Sequence, residues 1–89
     1  MSNRDRRAEP RHHADGQVMF SFDEPVHQEI SGRLVDYSNS GFRAVHHCSD
    51  LHAGQTVRFH HEVASGTARV MWNRILPEWV ETGFLVVAL

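Results

Sequence analysis

Apolar and polar residues alternate through much of this chain with a period of two. Over residues 17–22, Val18, Phe20 and Phe22 face one way while Met19 and Ser21 face the other, because successive side chains of an extended chain leave opposite faces. The same beat returns over 56–63, where Val57 and Phe59 alternate with Arg58 and His60. It returns again over 67–73, where Ala68, Val70 and Trp72 oppose Arg69, Met71 and Asn73. Residues 27–36, 42–47 and 80–88 are β-prone as well, which makes six predicted strands. The run over 27–36 is expected to bend at Gly32, where a bulge or a barrel corner fits. Asp23-Glu24-Pro25, Ser49 to Gly54, Ala64-Ser65-Gly66 and the stretch around Pro77 carry turn residues. No helical period stands out. The prediction is an all-β protein, a compact six-stranded antiparallel β-barrel over residues 13–89. Closure removes the sheet edges and gives every strand the same interior.

Composition narrows this picture. A chain of 89 residues allows one domain, with a core near the lower limit for independent folding. No apolar run is long enough to cross a bilayer, so no membrane insertion is expected. The opening Met-Ser-Asn-Arg-Asp-Arg-Arg is polar throughout and lacks the apolar segment of a secretory signal. With one cysteine, Cys48, no internal disulfide can form, and the expectation is a reducing, cytoplasmic setting. Cys48 itself reads as a small buried hydrophobe.

The net charge of −2 argues against a general binder of nucleic-acid polymers, yet the charge is unevenly spread. Every basic residue is Arg, and Arg4, Arg6, Arg7 and Arg11 all fall within the first eleven positions. Codon bias explains the missing Lys but not the clustering. Residues 1–12 carry almost no hydrophobic side chain and are expected to form a flexible arm unless a partner holds them. Pro10 holds Glu9 extended, so Arg7 and Arg11 do not form a helical pair. On extended chain they lie on one side, roughly 13 Å apart. That spacing suits two guanidinium forks gripping the ends of a compact ligand; a solvated basic tail is the alternative.

The second concentration of chemistry is Asp36-Tyr37-Ser38-Asn39-Ser40-Gly41, between two β-prone runs. Asp36 and Ser38 are two apart and point the same way, so a carboxylate and a hydroxyl share one face beside a glycine turn. Gly41 is expected to take a positive φ there. The stretch serves either as a small hydrogen-bonding platform or as an ordinary Asx-type turn. No nucleophile stands paired with a base, so an enzyme is not expected. The eight histidines include the neighbours His12-His13, His46-His47 and His60-His61, whose side chains leave opposite faces, and no zinc-like spacing occurs. No metal is expected. Trp72 reads as a core residue by its alternation, and as a ligand-stacking platform if it lies at a barrel rim.

Two separated motifs then coincide. Arg6-Arg7-Ala8-Glu9-Pro10-Arg11 fits R-x-x-x-R preceded by a further Arg, and Asp36 to Gly41 fits D/N-x-S-x-x-G. In that order, with the Val70-Met71-Trp72 strand and the closing Gly83-Phe84, the chain resembles the PilZ domain family over nearly its whole length. The resemblance implies a six-stranded barrel that acts as a receptor for cyclic di-GMP, with no cofactor. It implies that Arg7 and Arg11 hold guanine and phosphate groups, that Asp36 and Ser38 bind from the barrel surface, and that Gly41 shapes the turn. Arg6 takes the place of an Arg that helps accommodate a stacked ligand dimer, and Trp72 is a weaker candidate. An unidentified downstream protein and a ligand-mediated dimer are the implied partners. Family members commonly continue into a C-terminal helix after the last strand, whereas this sequence ends at Leu89, so little or no C-terminal helix is expected within it. Two other readings stay open: a protein-interaction module of PilZ shape without a nucleotide, and a small barrel for single-stranded nucleic acid.

Overall fold

The computed structural model describes residues 9–89. It contains β1 (His12–His13), β2 (Gln17–Phe22), β3 (Gln28–Tyr37), β4 (Gly41–His46), β5 (Thr56–His61), β6 (Ser65–Ile75) and β7 (Val80–Ala88). The antiparallel sheet runs β1-β3-β2-β5-β6-β7-β4 and closes through β3 and β4, giving a six-stranded barrel with β1 as an added strand. The fold class is therefore as predicted. Among the described residues no helix is long and apolar enough to cross a membrane.

The alternating residues fill the interior. Phe20, Phe42, Phe59, Phe84, Val18, Leu34, Val57 and Val70 are buried. Phe42 stacks on Phe84 with ring centroids 4.6 Å apart, and Phe59 closes on Phe42 at 4.8 Å. Cys48 is half-buried and packs against this core.

Four details differ from the sequence reading. His12 and His13 pair with Tyr37 and Asp36, so the sheet begins inside the segment read as an arm. The register of β3 against β4 slips between Leu34 and Asp36, at Val35 rather than at Gly32. The hairpin between β5 and β6 turns at residues 62–64, closed by His61 N–H donating to the Ala64 carbonyl at 2.9 Å, and Ser65 already belongs to β6. A second slip lies between Val70 and Trp72, which turns Trp72 away from the core its alternation predicted. A bulge adds one residue to one strand, and each added residue reverses the facing of every later residue in that strand.

A polar chain runs through the interior near the ends of β4 and β7. The Cys48 N–H donates to His46 Nδ1 at 3.0 Å, and His46 Nε2 meets Thr82 Oγ1 at 2.7 Å. Thr82 donates to Asn73 Oδ1 at 2.6 Å, and Asn73 Nδ2 donates to the Leu51 carbonyl at 3.0 Å. Because Nδ1 accepts the hydrogen bond from the Cys48 N–H, it carries no hydrogen, and His46 is neutral with its hydrogen on Nε2. Burial, with the nearby His47 adding to it, lowers its pKa from 6.5 to about 4. Between those values the unfolded chain takes up a proton that the folded one refuses, so stability falls as pH drops from about 6.5 toward about 4. His61 is shifted down by burial and acts in the same direction. His27 is shifted up by Asp23 and Glu29, but these groups are exposed and solvent screens them. The expected result is a lower urea midpoint at pH 5 than at pH 7.5, with His46 ring signals still those of neutral imidazole at pH 5.5. A midpoint unchanged across that range would contradict it.

Candidate functional site

Of the three register slips in the described strands, those at Val35 and Met71 have a common result. Across neighbouring strands, directly opposed residues share a face. Asp36 on β3 lies opposite Arg43 on β4, Arg43 opposite Gly83 on β7, and Gly83 opposite Trp72 on β6. On either side, Phe42 and Ala44 of β4 point into the core. The row Asp36, Arg43, Gly83, Trp72 therefore lies on the outer wall across four strands. Without the extra residues at Val35 and Met71, period two would put Asp36 beside Leu34 and Trp72 beside Val70, inside.

Asp36 is nearly inaccessible, although it lies on the outer wall, because two arginines cover it. Arg11 donates from Nη2 to Oδ1 at 2.8 Å and from Nη1 to the Ser38 hydroxyl at 3.4 Å. Arg43 donates from Nε to both carboxylate oxygens at 3.1 Å, and its Nη2 bonds Oδ2. Burial alone pushes this carboxyl up, but the Arg43 and Arg11 bonds overcome that and hold it at about 2. Asp36 is thus an ionised acceptor at any physiological pH. In return it shifts the Arg43 guanidinium up.

Gly41 works differently from the expectation. Among the described glycines a positive φ occurs at Gly54, with φ 91°, and not at Gly41. What Gly41 provides is close approach: a Cβ there would overlap the Phe84 carbonyl oxygen of β7. The turn itself is closed by Ser38 N–H donating to the Gly41 carbonyl at 2.8 Å.

Trp72 lies with its indole against Gly83, where a Cβ would overlap the ring. Arg11, Ser40, Gly41, Arg43, Trp72 and Gly83 help line an open recess of ≈ 380 Å³, within the roughly 300–1,000 Å³ range of small-molecule sites. Two cationic forks and one half-exposed indole face a shared space, beside an ionised carboxylate. Such a set can hold a planar, hydrogen-bonding, negatively charged guest. Because the obstacle at Gly83 is a side chain rather than backbone, Gly83→Ala should keep the fold and displace the indole. In a Trp79→Phe background, emission from Trp72 is expected to move to longer wavelength, with stability changed by less than about 1 kcal/mol. Unchanged emission would mean the ring does not rest on Gly83.

Of the residues singled out by sequence, Arg11, Asp36 and Ser38 meet directly, and Gly41 and Trp72 adjoin them. Arg6 and Arg7 lie outside the described residues. The sequence reading missed Arg43, although a buried carboxylate demands a cation and the hairpin places residue 43 opposite residue 36. It also missed Glu81, whose buried carboxylate accepts from Arg43 Nη1 at 3.3 Å and from Arg74 Nη2 at 2.5 Å. Among the described residues no group of three or more His, Cys, Asp or Glu side chains is placed to hold a metal ion.

No family model matches the chain, and no curated protein matches it in sequence. Among solved structures it is similar to the crystal structure of YcgR from Escherichia coli in complex with c-di-GMP, with a TM-score of 0.66 and 17% sequence identity. The match covers 92% of this chain and 38% of that one, so the chain spans well under half of its neighbour's length. The likeness is one of fold.

Proposed function

We propose that this chain is a PilZ-type receptor for cyclic di-GMP, acting by binding rather than catalysis. The observation that carries the reading is convergence. Arg11, Ser38 and Asp36 come from the two motif segments, Arg11 bonds both of the others, and Arg11 and Trp72 line one recess. The likeness in fold to YcgR, itself solved with c-di-GMP, supports the same reading.

The chemistry rests on donors and acceptors. Guanine presents O6 and N7 on one edge, which an arginine fork engages with two parallel bonds. Its N1 and N2 hydrogens need an acceptor, and ionised Asp36 supplies one. The phosphates attract Arg11 and, from the preceding segment, Arg7, with Arg6 beside it. Trp72 offers a face for a purine to stack on. Arg11 holds Asp36 through one oxygen only and is half-exposed, so it is the partner a guest displaces. The displaced guanidinium then turns to the guest, and the loss of its bond to Asp36 is offset by the new contacts. The reshaped surface, or a dimer around stacked ligand, meets a downstream protein in the bacterial cytoplasm. Such a response requires the ligand to prefer the rearranged state.

Calorimetry with cyclic di-GMP on the intact chain, on Arg11→Ala and on a chain lacking residues 1–11 tests this. Arg11→Ala is expected to bind roughly ten- to a hundredfold more weakly, as losing one charge-assisted bond implies. Equal affinity in all three would refute the arm's part. Glu9 gives a further check. Its carboxylate accepts the Ser40 hydroxyl at 2.7 Å, and the Ser40 and Ser38 hydroxyls, with the charge on Arg11, lower its pKa. It carries the charge of an incoming phosphate into the same place, so Glu9→Gln should tighten binding by roughly two- to fivefold.

The rival reading, an interaction module without a nucleotide, has an observation of its own: Asp36 is already satisfied by Arg11 and Arg43. Substituting Arg7, Arg11 and Asp36 together leaves such a module active and silences a receptor.

A further inference from the structure

Arg43 belongs to neither motif, yet it holds Asp36 more firmly than Arg11 does. Three of its bonds go to Asp36, from Nε to both oxygens and from Nη2 to Oδ2, and the remaining nitrogen, Nη1, reaches Glu81 Oε2 at 3.3 Å. Arg11, by contrast, reaches only Oδ1. Every nitrogen of the Arg43 guanidinium therefore has a carboxylate partner, and its plane is fixed at both ends. Glu81 is itself fixed: its side chain is 8% exposed, and its other oxygen accepts from Arg74. Glu81 lies opposite Val45 and Arg74, in the outward-facing row next to that of Arg43 and Gly83.

From this geometry we infer that Arg43 is a positioning residue for the guest site, and that Glu81 is its anchor. Arg43 aims the Asp36 carboxylate by claiming Oδ2, which leaves Oδ1 as the oxygen that exchanges Arg11 for a guest donor. The consequence for a guest rests on the proposed receptor function. The consequence for Asp36 does not. The groups facing Asp36 are Arg11 from the segment before β1, His13 as its backbone partner on β1, and Arg43 on β4, with Glu81 on β7 behind Arg43. Removing Arg43 leaves burial opposed by Arg11 alone, and the carboxyl then titrates higher. Removing the charge of Glu81 frees one end of the guanidinium and lets it swing.

The test uses the intact chain with Arg43→Ala, Arg43→Lys and Glu81→Gln. Carboxyl-carbon NMR follows Asp36 from pH 2 to pH 6 without ligand, and calorimetry follows cyclic di-GMP binding at pH 7.5. Arg43→Ala should move the Asp36 titration up by at least one pH unit, on the order expected for loss of an adjacent opposite charge. It should weaken binding roughly ten- to a hundredfold. Glu81→Gln, which keeps the side-chain volume, should weaken binding roughly three- to tenfold while touching no guest. Arg43→Lys should restore the Asp36 titration but only part of the affinity, since it keeps the charge and loses the fork. Unaltered Asp36 titration in Arg43→Ala, or unaltered affinity in both Arg43→Ala and Glu81→Gln, overturns the inference. If the unsubstituted chain takes up no dinucleotide, the receptor reading fails, and the Asp36 titration alone decides whether Arg43 positions it.

Discussion

Asp36→Asn is expected to weaken cyclic di-GMP binding by roughly a hundredfold or more, while leaving the barrel folded. The side chains are almost the same size, so the difference is one of acceptors. The carboxylate has two oxygens, and in the free chain both are used: Oδ2 by Arg43, and Oδ1 by Arg11 and by Arg43 Nε. An amide has one oxygen, and Arg43, anchored by Glu81, claims it. The amide nitrogen then faces the guest and opposes the N1 and N2 hydrogens of guanine, donor against donor. Losing two charge-assisted bonds of roughly 1.5–3 kcal/mol each accounts for the size of the effect. Calorimetry measures it, and circular dichroism of the variant establishes that the fold is kept. Affinity within threefold of the unsubstituted chain would place the guest elsewhere.

The largest effect on stability is expected from Phe42→Ala. Phe42 is fully buried, stacked on Phe84 at 4.6 Å, tilted against Phe59 at 4.8 Å and edge-on to His61 at 5.1 Å. Truncating it removes the ring from the middle of the aromatic cluster and leaves a cavity, at a cost of about 3–5 kcal/mol. A small domain has stability toward the lower part of the usual range of about 5–15 kcal/mol, so most of it is lost. The flanking residues are Gly41 and Arg43, so the site is lost with the fold. Urea unfolding should show a much lower midpoint at a similar slope. Met71→Ala, at a side chain that faces solvent, serves as the control and should barely move the midpoint.

Much of this architecture was legible in the residues. Strands over 17–22 and 80–88 appear where alternation put them, because each keeps an unbroken apolar beat or an apolar run bounded by turns. Arg11, Asp36 and Ser38 were legible by spacing, since two short motifs held them at fixed distances. What was missed depends on register. His12 and His13 show no pattern, and only their pairing with Tyr37 and Asp36 makes them a strand. Arg43 and Glu81 matter because of what lies opposite them, and a linear sequence does not record opposition. Gly41 was assigned a conformational role when its actual constraint is a carbonyl from a strand more than forty positions away.

The added residue at Met71 has a consequence for how this protein can change. Its own side chain is half-exposed at the edge of the recess, and the core makes no demand on its size. Its presence, however, sets the parity of everything from Trp72 to Ile75. Excising that single codon would rotate the indole inward and swing Asn73 out of its place between Thr82 and Leu51. For the fold, position 71 is thus tolerant of spelling and intolerant of deletion, and length, more than chemistry, is what the barrel requires of this stretch.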